Sequence, residues 1–246
     1  AMRRQIQDGR VLFGEDENSV PTFKRYLRDT ENEVAYSVFY QDGRAATKRL
    51  RSLMGSSVFD FPKDETVIQT LVEMVTEEDD LVLDFFAGSG TTAHSVYMAN
   101  AADGGNRKYI MVQLDEPVPT GSPAEKSGFK SISQISRERI RRAAEHVAGN
   151  AGMKDWDGGF RSFRVDSGNM TDTLREPDRV DQLDLSLFTS SVKEGRSAED
   201  LLFQVLLDWG LEPSLSITKG VIGGREVFFV DEDAVAACFA DELPPE

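Results

Sequence analysis

The stretch DFFAGSGTT at residues 84–92 carries the clearest structural signal in this chain of 246 residues. It follows the apolar run LVL at 81–83 and precedes a segment of helical character at 91–102. A strand that ends in an acid and turns through two glycines into a helix is typical of a ligand-binding turn, because glycine lets a ligand approach the main chain. The helix N-terminus adds unpaired N–H groups. The stretch therefore predicts a binding turn at the carboxyl end of a strand.

The residues of this turn narrow the class of ligand. A Walker A loop needs a lysine after its last glycine, whereas Gly90 is followed by two threonines. Gly88, Gly90 and Ala93 match the spacing of the dinucleotide fingerprint, but the carboxylate of Asp84 would repel a pyrophosphate. The ammonium and sulfonium groups of S-adenosylmethionine suit this carboxylate better. S-adenosylmethionine is the favoured ligand, and a dinucleotide oxidoreductase or a turn without any ligand are the alternatives.

Composition predicts a globular protein in the cytoplasm. Apolar residues make up 39% of the chain, no run approaches the roughly 20 apolar residues of a membrane helix, and the first ten residues lack the apolar region of a signal peptide. The single cysteine, Cys238, excludes an internal disulfide and a cysteine-rich metal site. His94 is expected on a helix surface in an ordinary role, and His146 has no partner at metal-ligand spacing. We predict no membrane contact and no metal.

Periodicity organises the chain into helices and strands. In the first 150 residues it predicts a strand-like piece at 34–40, helices at 66–75, 91–102 and from Ser131 or Ser133 to 148, and strands at 81–86 and 109–114. Further along it predicts a strand pair opened by Gly158 and Gly159, acidic turns at 172–184, an amphipathic helix at 198–211 and a hairpin at 221–230. The helix should bury one face, formed by Leu201, Leu202, Val205, Leu206 and Trp209.

The glycine-rich stretch and its neighbours resemble a known family. DFFAGSGTT, with FDFPKDETVIQTLV at 59–72 before it and NRKYIMVQLDEP at 106–117 after it, is similar to the β-group adenine-N6 DNA methyltransferases. The pieces at 9–27, 159–169 and 198–211 favour the Mod subunits of type III restriction-modification systems. The resemblance implies an α/β fold, a partial Rossmann-like S-adenosylmethionine-dependent methyltransferase with a small α+β C-terminal domain.

The resemblance also implies a division of the chain and a set of cofactor residues. Residues 1–58 would be a remnant of the target-recognition or linker region, 59–150 the cofactor-binding part of the methyltransferase domain, and 151–246 the C-terminal α+β domain. Gln113 stands where the family usually has an acid for the ribose hydroxyls, and Asp115 or Glu116 would be its substitutes. The residues expected at the cofactor are Phe61, Pro62, Lys63, Asp84, Phe85, Ala87, Gly88, Gly90, Thr91, Thr92 and Gln113.

One family motif is missing. The Asp/Asn-Pro-Pro-Tyr/Phe tetrapeptide that holds a flipped adenine occurs nowhere in the sequence, so no catalytic residue is assigned and the isolated chain is expected to be inactive. The resemblance implies the cofactor-binding carboxyl-terminal part of a site-specific DNA adenine-N6 methyltransferase, with DNA, a restriction subunit and a second copy of the chain as partners. The alternative is a non-catalytic remnant that binds cofactor or docks a partner.

Charge limits where DNA would bind. The net charge is −15, and residues 151–246 carry nine Lys and Arg against 20 Asp and Glu. Because the neutralisation of phosphates by basic residues is the main source of non-specific DNA affinity, this acidic segment is not expected to bind DNA. Two basic clusters remain, one at residues 44–51 that either touches the DNA backbone or forms a solvated face, and one at 137–142 that is expected to be a solvated helix face.

Overall fold

The computed structural model describes residues 2–24, 26, 36–152, 156–171, 192–232 and 234–240. These residues form two compact units, 1–158 and 159–246. The helices are α1 (Met2–Gln7), α2 (Ala45–Met54), α3 (Glu65–Val75), α4 (Thr91–Asp103), α5 (Pro123–Lys126), α6 (Ile132–Ala151) and α7 (Ala198–Asp208). The strands are β1 (Val11–Leu12), β2 (Thr22–Phe23), β3 (Leu81–Asp84), β4 (Lys108–Met111), β5 (Ile217–Ile222), β6 (Arg225–Val230) and β7 (Val235–Ala237). None of the helices in these ranges is long and apolar enough to cross a membrane.

The first unit is built on a βαβ arrangement of β3, α4 and β4. The two strands are parallel, with Leu83 beside Ile110 and Asp84 beside Met111. Helices α3 and α4 cover one face of this pair through a cluster that includes Val72 and Val96. The mixture of helices with a parallel strand pair confirms the predicted α/β class.

The opposite face of the parallel pair is open among the described residues. Leu81, Leu83 and Ile110 are 57%, 48% and 47% exposed, although parallel sheets normally have both faces covered. The strands and helices of this region agree with the sequence prediction within a few residues. The main difference is that β3 ends at Asp84 and β4 at Met111, before the predicted ends at 86 and 114. After these residues both strands leave the hydrogen-bonded ladder to form the turns that follow.

Helix α4 lies between α3 and α6, so the segment after the glycine-rich turn is enclosed on two sides. Asp64 caps α3 by accepting a hydrogen bond from the main-chain N–H of Thr66 at 3.0 Å. Ser131 precedes α6 as expected, but its side chain makes no capping bond. A second apolar cluster joins α2, α5 and α6 through residues such as Leu50, Ala124 and Ile135.

The second unit packs α7 on a three-stranded antiparallel sheet. The strand order is β5-β6-β7, and Gly223 and Gly224 turn the β5–β6 hairpin with positive φ. Leu202 and Leu206 are fully buried against Phe228. The predicted helix and the hairpin are confirmed.

Four sequence-based predictions outside the parallel pair are wrong or fall outside the described residues. Residues 36–40 form no strand, and 34–35 lie outside the described residues. No strand pair begins at Gly158; the described part of that segment has only an isolated bridge between Met170 and Val192. Trp209 is 67% exposed, because α7 ends before it. The acidic turns at 172–184 also lie outside the described residues.

Candidate functional site at the glycine-rich turn

Main-chain hydrogen bonds fix the turn between β3 and α4. The N–H of Ala87 donates to the carbonyl of Val112 at 3.0 Å, and the N–H of Gly90 donates to the carbonyl of Ala87 at 2.7 Å. Gly88 and Gly90 have φ of 51° and 78°, values that other residues adopt only at a cost. The turn therefore lies at the carboxyl end of the parallel pair and depends on its two glycines.

Asp84 shapes the turn through both carboxylate oxygens. Oδ1 accepts from the N–H of Phe86 at 2.9 Å, and Oδ2 accepts from the Thr92 hydroxyl at 2.6 Å. A carboxylate has about four acceptor positions, so these two bonds leave capacity for a ligand. Thr92 uses its hydroxyl proton on Asp84 and orients this carboxylate.

Gln113 also contacts the turn. Its side-chain oxygen accepts from the N–H of Gly88 at 2.7 Å. The amide therefore holds the main chain of the turn, and its NH₂ group is the part that remains for a ligand. The two proposed substitutes, Asp115 and Glu116, are exposed in the segment after β4.

The FPK segment lies next to the turn. A Cβ placed on Gly88 would lie 3.6 Å from Cζ of Phe59, two residues before Phe61. Phe61 has φ of 53° and is 90% exposed, Pro62 is buried and Lys63 is exposed. A bulky residue with positive φ is an outlier that marks a constrained segment. Phe59, just before the FPK segment, and Gln113 thus both lie beside the glycine-rich turn.

Aromatic side chains flank the turn at its surface. Phe85 and Phe86 are 64% and 87% exposed, although they follow a strand of the central pair. Ala87, the next residue, is buried. Exposed aromatic side chains beside a glycine turn can pack against a planar or apolar part of a ligand.

A buried polar cluster lies behind the turn and was not found by sequence reasoning. Arg139 of α6 is 1% exposed and donates through Nη1 to the Ser89 hydroxyl at 2.8 Å and to the Thr91 hydroxyl at 2.7 Å. Its Nη2 lies 3.6 Å from Oε2 of Glu65. Burial lowers the pKa of Arg139 to about 10, and the charge of Glu65 opposes this change. The Thr91 hydroxyl therefore has a protein partner.

The prediction that 137–142 form a solvated helix face is wrong for Arg139. A signal for its burial was present, since Arg139 stands four residues after Ile135 and four before Ala143, both of which are buried. These positions share one helix face. Arg142, by contrast, is paired with Glu138 at 2.8 Å near the surface.

His94 belongs to the same buried region. It is 7% exposed, so the expectation of a surface histidine is wrong. Burial, and then the positive charges of Arg139, His146 and Arg49, lower the pKa of His94 to about 3. Its Nδ1 has no hydrogen-bond partner among the described residues. The ring is therefore neutral at physiological pH.

Arg49 connects the cluster to the surface. It forms ion pairs with Asp64, at 2.6 Å, and with Glu65. The Glu65 side chain, through hydrogen bonding, raises the pKa of Arg49, and burial opposes the change. Of the basic cluster at 44–51, Arg49 is thus held in ion pairs although 41% of its side chain is exposed. Arg44 and Arg51 are exposed as well.

Comparison with known proteins places the turn inside a family match. A family described as DNA methylase matches residues 15–118, a range that includes the FPK segment, the glycine-rich turn and Gln113. The chain is 33% identical over 188 residues to the type III restriction-modification enzyme StyLTI Mod subunit of Salmonella typhimurium strain LT2, covering 75% of this chain and 28% of that protein.

Two further relatives extend the comparison. The EcoP15I Mod subunit of Escherichia coli is 34% identical over 166 residues, 67% of this chain and 24% of its own. The type II methyltransferase M.KpnI of Klebsiella pneumoniae is 40% identical over 110 residues, 45% of this chain and 26% of its own. The chain spans about a quarter of the length of these relatives.

Proposed function

We propose that this chain is the S-adenosylmethionine-binding part of a site-specific DNA adenine-N6 methyltransferase of the type III Mod kind, in line with the DNA methylase match over residues 15–118. The observation that carries the proposal is the glycine-rich turn at 84–92, which ends β3 beside a carboxylate and lies within the matched residues. In open α/β sheets, ligands bind at the carboxyl ends of strands.

The residues of the turn fit S-adenosylmethionine in charge and shape. Asp84 keeps acceptor capacity for a cationic group, and Phe85 offers an exposed aromatic surface. Lys63, exposed after Pro62, suits the cofactor carboxylate. We propose that the cofactor is bound by Phe61, Pro62, Lys63, Asp84, Phe85, Ala87, Gly88, Gly90, Thr91, Thr92 and Gln113.

These residues would act in different ways. The glycines let the main chain approach the cofactor, Thr92 orients Asp84, and Gln113 fixes the N–H of Gly88. When bound, S-adenosylmethionine supplies the methyl group on its sulfonium. The residues of this chain bind and orient it, and none is assigned to the flipped adenine.

The open face of the parallel strand pair supports the proposal that β3 and β4 are part of a larger sheet. Leu81, Leu83 and Ile110 are apolar yet half exposed, and a two-stranded parallel pair is too small to be stable without further cover. We propose that β3 and β4 belong to a Rossmann-like sheet that is completed by a segment carrying the catalytic tetrapeptide. Methyl transfer to adenine N6 in DNA would require both parts.

We propose a division of labour along the chain. Residues 1–58 would be a remnant of the target-recognition or linker region, 59–150 the cofactor-binding part of the methyltransferase domain, and 151–246 the C-terminal α+β domain. The names of the relatives include a Mod subunit of a restriction-modification enzyme, so a restriction subunit and a second Mod copy are the proposed protein partners of the complete enzyme. The acidic charge of 151–246 favours protein contacts over DNA contacts for that domain.

Reconstitution tests the proposal. The chain would be co-expressed with a Mod segment that carries the tetrapeptide, and DNA would be digested after incubation with methyl-labelled S-adenosylmethionine and analysed for N6-methyladenine by mass spectrometry. We expect label only when both polypeptides are present, and none when the first residue of the tetrapeptide is alanine. Cofactor binding without labelled adenine would overturn the enzyme proposal and favour the non-catalytic module.

A further inference from the structure

We propose that Arg139 is a positioning residue, which holds the hydroxyls of Ser89 and Thr91 behind the glycine-rich turn and thereby sets the turn for its ligand. This inference rests on the proposed function of the turn. It adds a residue from α6, about 50 positions away in sequence, to a site that otherwise consists of residues between 61 and 113.

The contacts of Arg139 are directed at the turn from inside the protein. One nitrogen, Nη1, donates to both hydroxyls at 2.8 and 2.7 Å, and the side chain is 1% exposed. A buried guanidinium is costly unless it is paired and hydrogen-bonded. Its distance of 3.6 Å to Glu65 is long for an ion pair, and its Nε has no partner among the described residues. The two hydroxyls are therefore its closest hydrogen-bond partners.

Helix α4 shows what this contact achieves. A serine or threonine at the N-cap position usually caps a helix, because its hydroxyl accepts a hydrogen bond from one of the first N–H groups. Here the N-cap is Gly90, which has no side chain, so no side chain caps the helix. Arg139 binds the hydroxyls of Ser89 and Thr91, the residues on either side of this N-cap. Arg139 thus holds both flanks of the uncapped helix start, at the point where the proposed cofactor would bind.

The backbone of α6 supports the same arrangement. A Cβ on Gly90 would lie 2.8 Å from Oγ and 3.2 Å from the carbonyl oxygen of Ser136, and 3.3 Å from Cγ1 of Ile140. Helix α6 therefore contacts the turn directly through Ser136 and Ile140, on either side of Arg139. These contacts keep the guanidinium in reach of the hydroxyls.

Glu65 faces the guanidinium from the other side. Its Oε1 accepts from Arg49, while its Oε2 faces Arg139. The hydroxyl of Ser95, on α4, also donates to the Glu65 carbonyl at 2.8 Å. Helices α2, α3, α4 and α6 thus meet at one residue, Glu65, and Arg139 is the member that reaches the turn.

The test compares Arg139→Lys with Arg141→Lys in the full chain. Lysine keeps the charge but lacks the planar fork of arginine. Arg141 is its matched control, because it lies on the same helix with an exposed side chain. Hydrogen exchange of the amides at 87–92 and calorimetric titration with S-adenosylmethionine are the two measurements.

We expect Arg139→Lys to raise the amide exchange rates at 87–92 and to weaken the binding of S-adenosylmethionine roughly tenfold. Arg141→Lys should leave both quantities unchanged. Exchange in the second unit should not change in either variant. Parental exchange rates at 87–92 in a folded Arg139→Lys protein would overturn the inference.

The hydroxyls provide a second arm that does not alter Arg139. Thr91→Val should reproduce faster exchange at 87–92, and Thr91→Ser should restore slow exchange. In Arg139→Lys, adding Ser89→Ala and Thr91→Val should cause little further loss of exchange protection at 87–92, since the contact with the hydroxyls is already broken. Fully additive losses of protection would show that Arg139 acts only as a structural residue. Absence of cofactor binding in the parent would count against the proposed function, and the exchange rates would still decide the role of Arg139.

Discussion

Replacing Gly90 by alanine tests whether close approach of α6 fixes the glycine-rich turn. Gly90 and Gly104 start and end α4 with nearly the same φ, 78° and 79°. A Cβ on Gly104 would meet no atom within 4 Å, whereas a Cβ on Gly90 would meet the main-chain carbonyl oxygen of Ser136 at 3.2 Å. The two variants therefore share the backbone penalty and differ in crowding.

The expected magnitudes follow from these two terms. A left-handed backbone costs a non-glycine residue about 1–2 kcal/mol, which is the full effect expected for Gly104→Ala. Overpacking adds about 1–3 kcal/mol, so Gly90→Ala should lower the free energy of unfolding by about 2–5 kcal/mol. The relief of crowding would require α6 to move, because the opposing oxygen belongs to its backbone.

Urea unfolding of the full chain measures this difference. Trp156 reports on the first unit, since its ring lies 4.9 Å from that of Tyr97 on α4. A Trp209→Phe background removes the other tryptophan, which is exposed on the second unit. Equal loss of stability in Gly90→Ala and Gly104→Ala would refute the argument that α6 packs directly on the turn.

Three further predictions concern single side chains. Burial lowers the pKa of His94 from 6.5 to about 3, so the unfolded chain binds a proton at this residue before the folded chain does as the pH falls. Between pH 7.5 and pH 5 the parent should therefore lose about 2 kcal/mol of its free energy of unfolding in urea, and His94→Gln should not lose this amount. Gln113→Leu should leave the N–H of Gly88 unpaired and cost about 1–3 kcal/mol in urea, while Gln113→Glu, which keeps an acceptor, should not. Leu206→Ala should lower the free energy of unfolding, measured by circular dichroism in urea, by about 2–5 kcal/mol. Leu207 is 63% exposed on the same helix, so Leu207→Ala should be near neutral. Equal effects of the two Gln113 variants or of the two leucine variants, or equal pH dependence of the parent and His94→Gln, would contradict these expectations.

Elements with a strong local pattern were predictable from sequence. Helices α3, α4 and α7, the hairpin at Gly223 and the turn at 84–92 each have periodicity or turn residues that specify them locally. The strand predicted for 34–40 is wrong over its described residues, 36–40, and so is the strand pair predicted at Gly158. Both have the same reason, since short apolar runs form strands only where a partner strand is present. The local sequence does not indicate whether such a partner strand exists.

The buried cluster behind the turn depends on long-range packing. The glycine-rich turn between β3 and α4 could be predicted, but not the internal partners of Thr91 and Thr92, which are Arg139 and Asp84. Charged residues are seldom fully buried, so the sequence predicts that an arginine within a basic run is exposed to solvent. The periodicity of α6 held the contrary signal, and its apolar face included Arg139.

Calorimetric titration of S-adenosylmethionine into this chain tests the central claim most directly, with Asp84→Asn as the matched variant. Asparagine keeps an oxygen for the N–H of Phe86 and a polar partner for Thr92, so the turn keeps its shape while the negative charge is removed. The proposal predicts saturable binding at one site in the parent, clearly weaker binding in Asp84→Asn, and no competition by NAD. A folded parent that gives no binding, or a site that NAD occupies in preference, would contradict it.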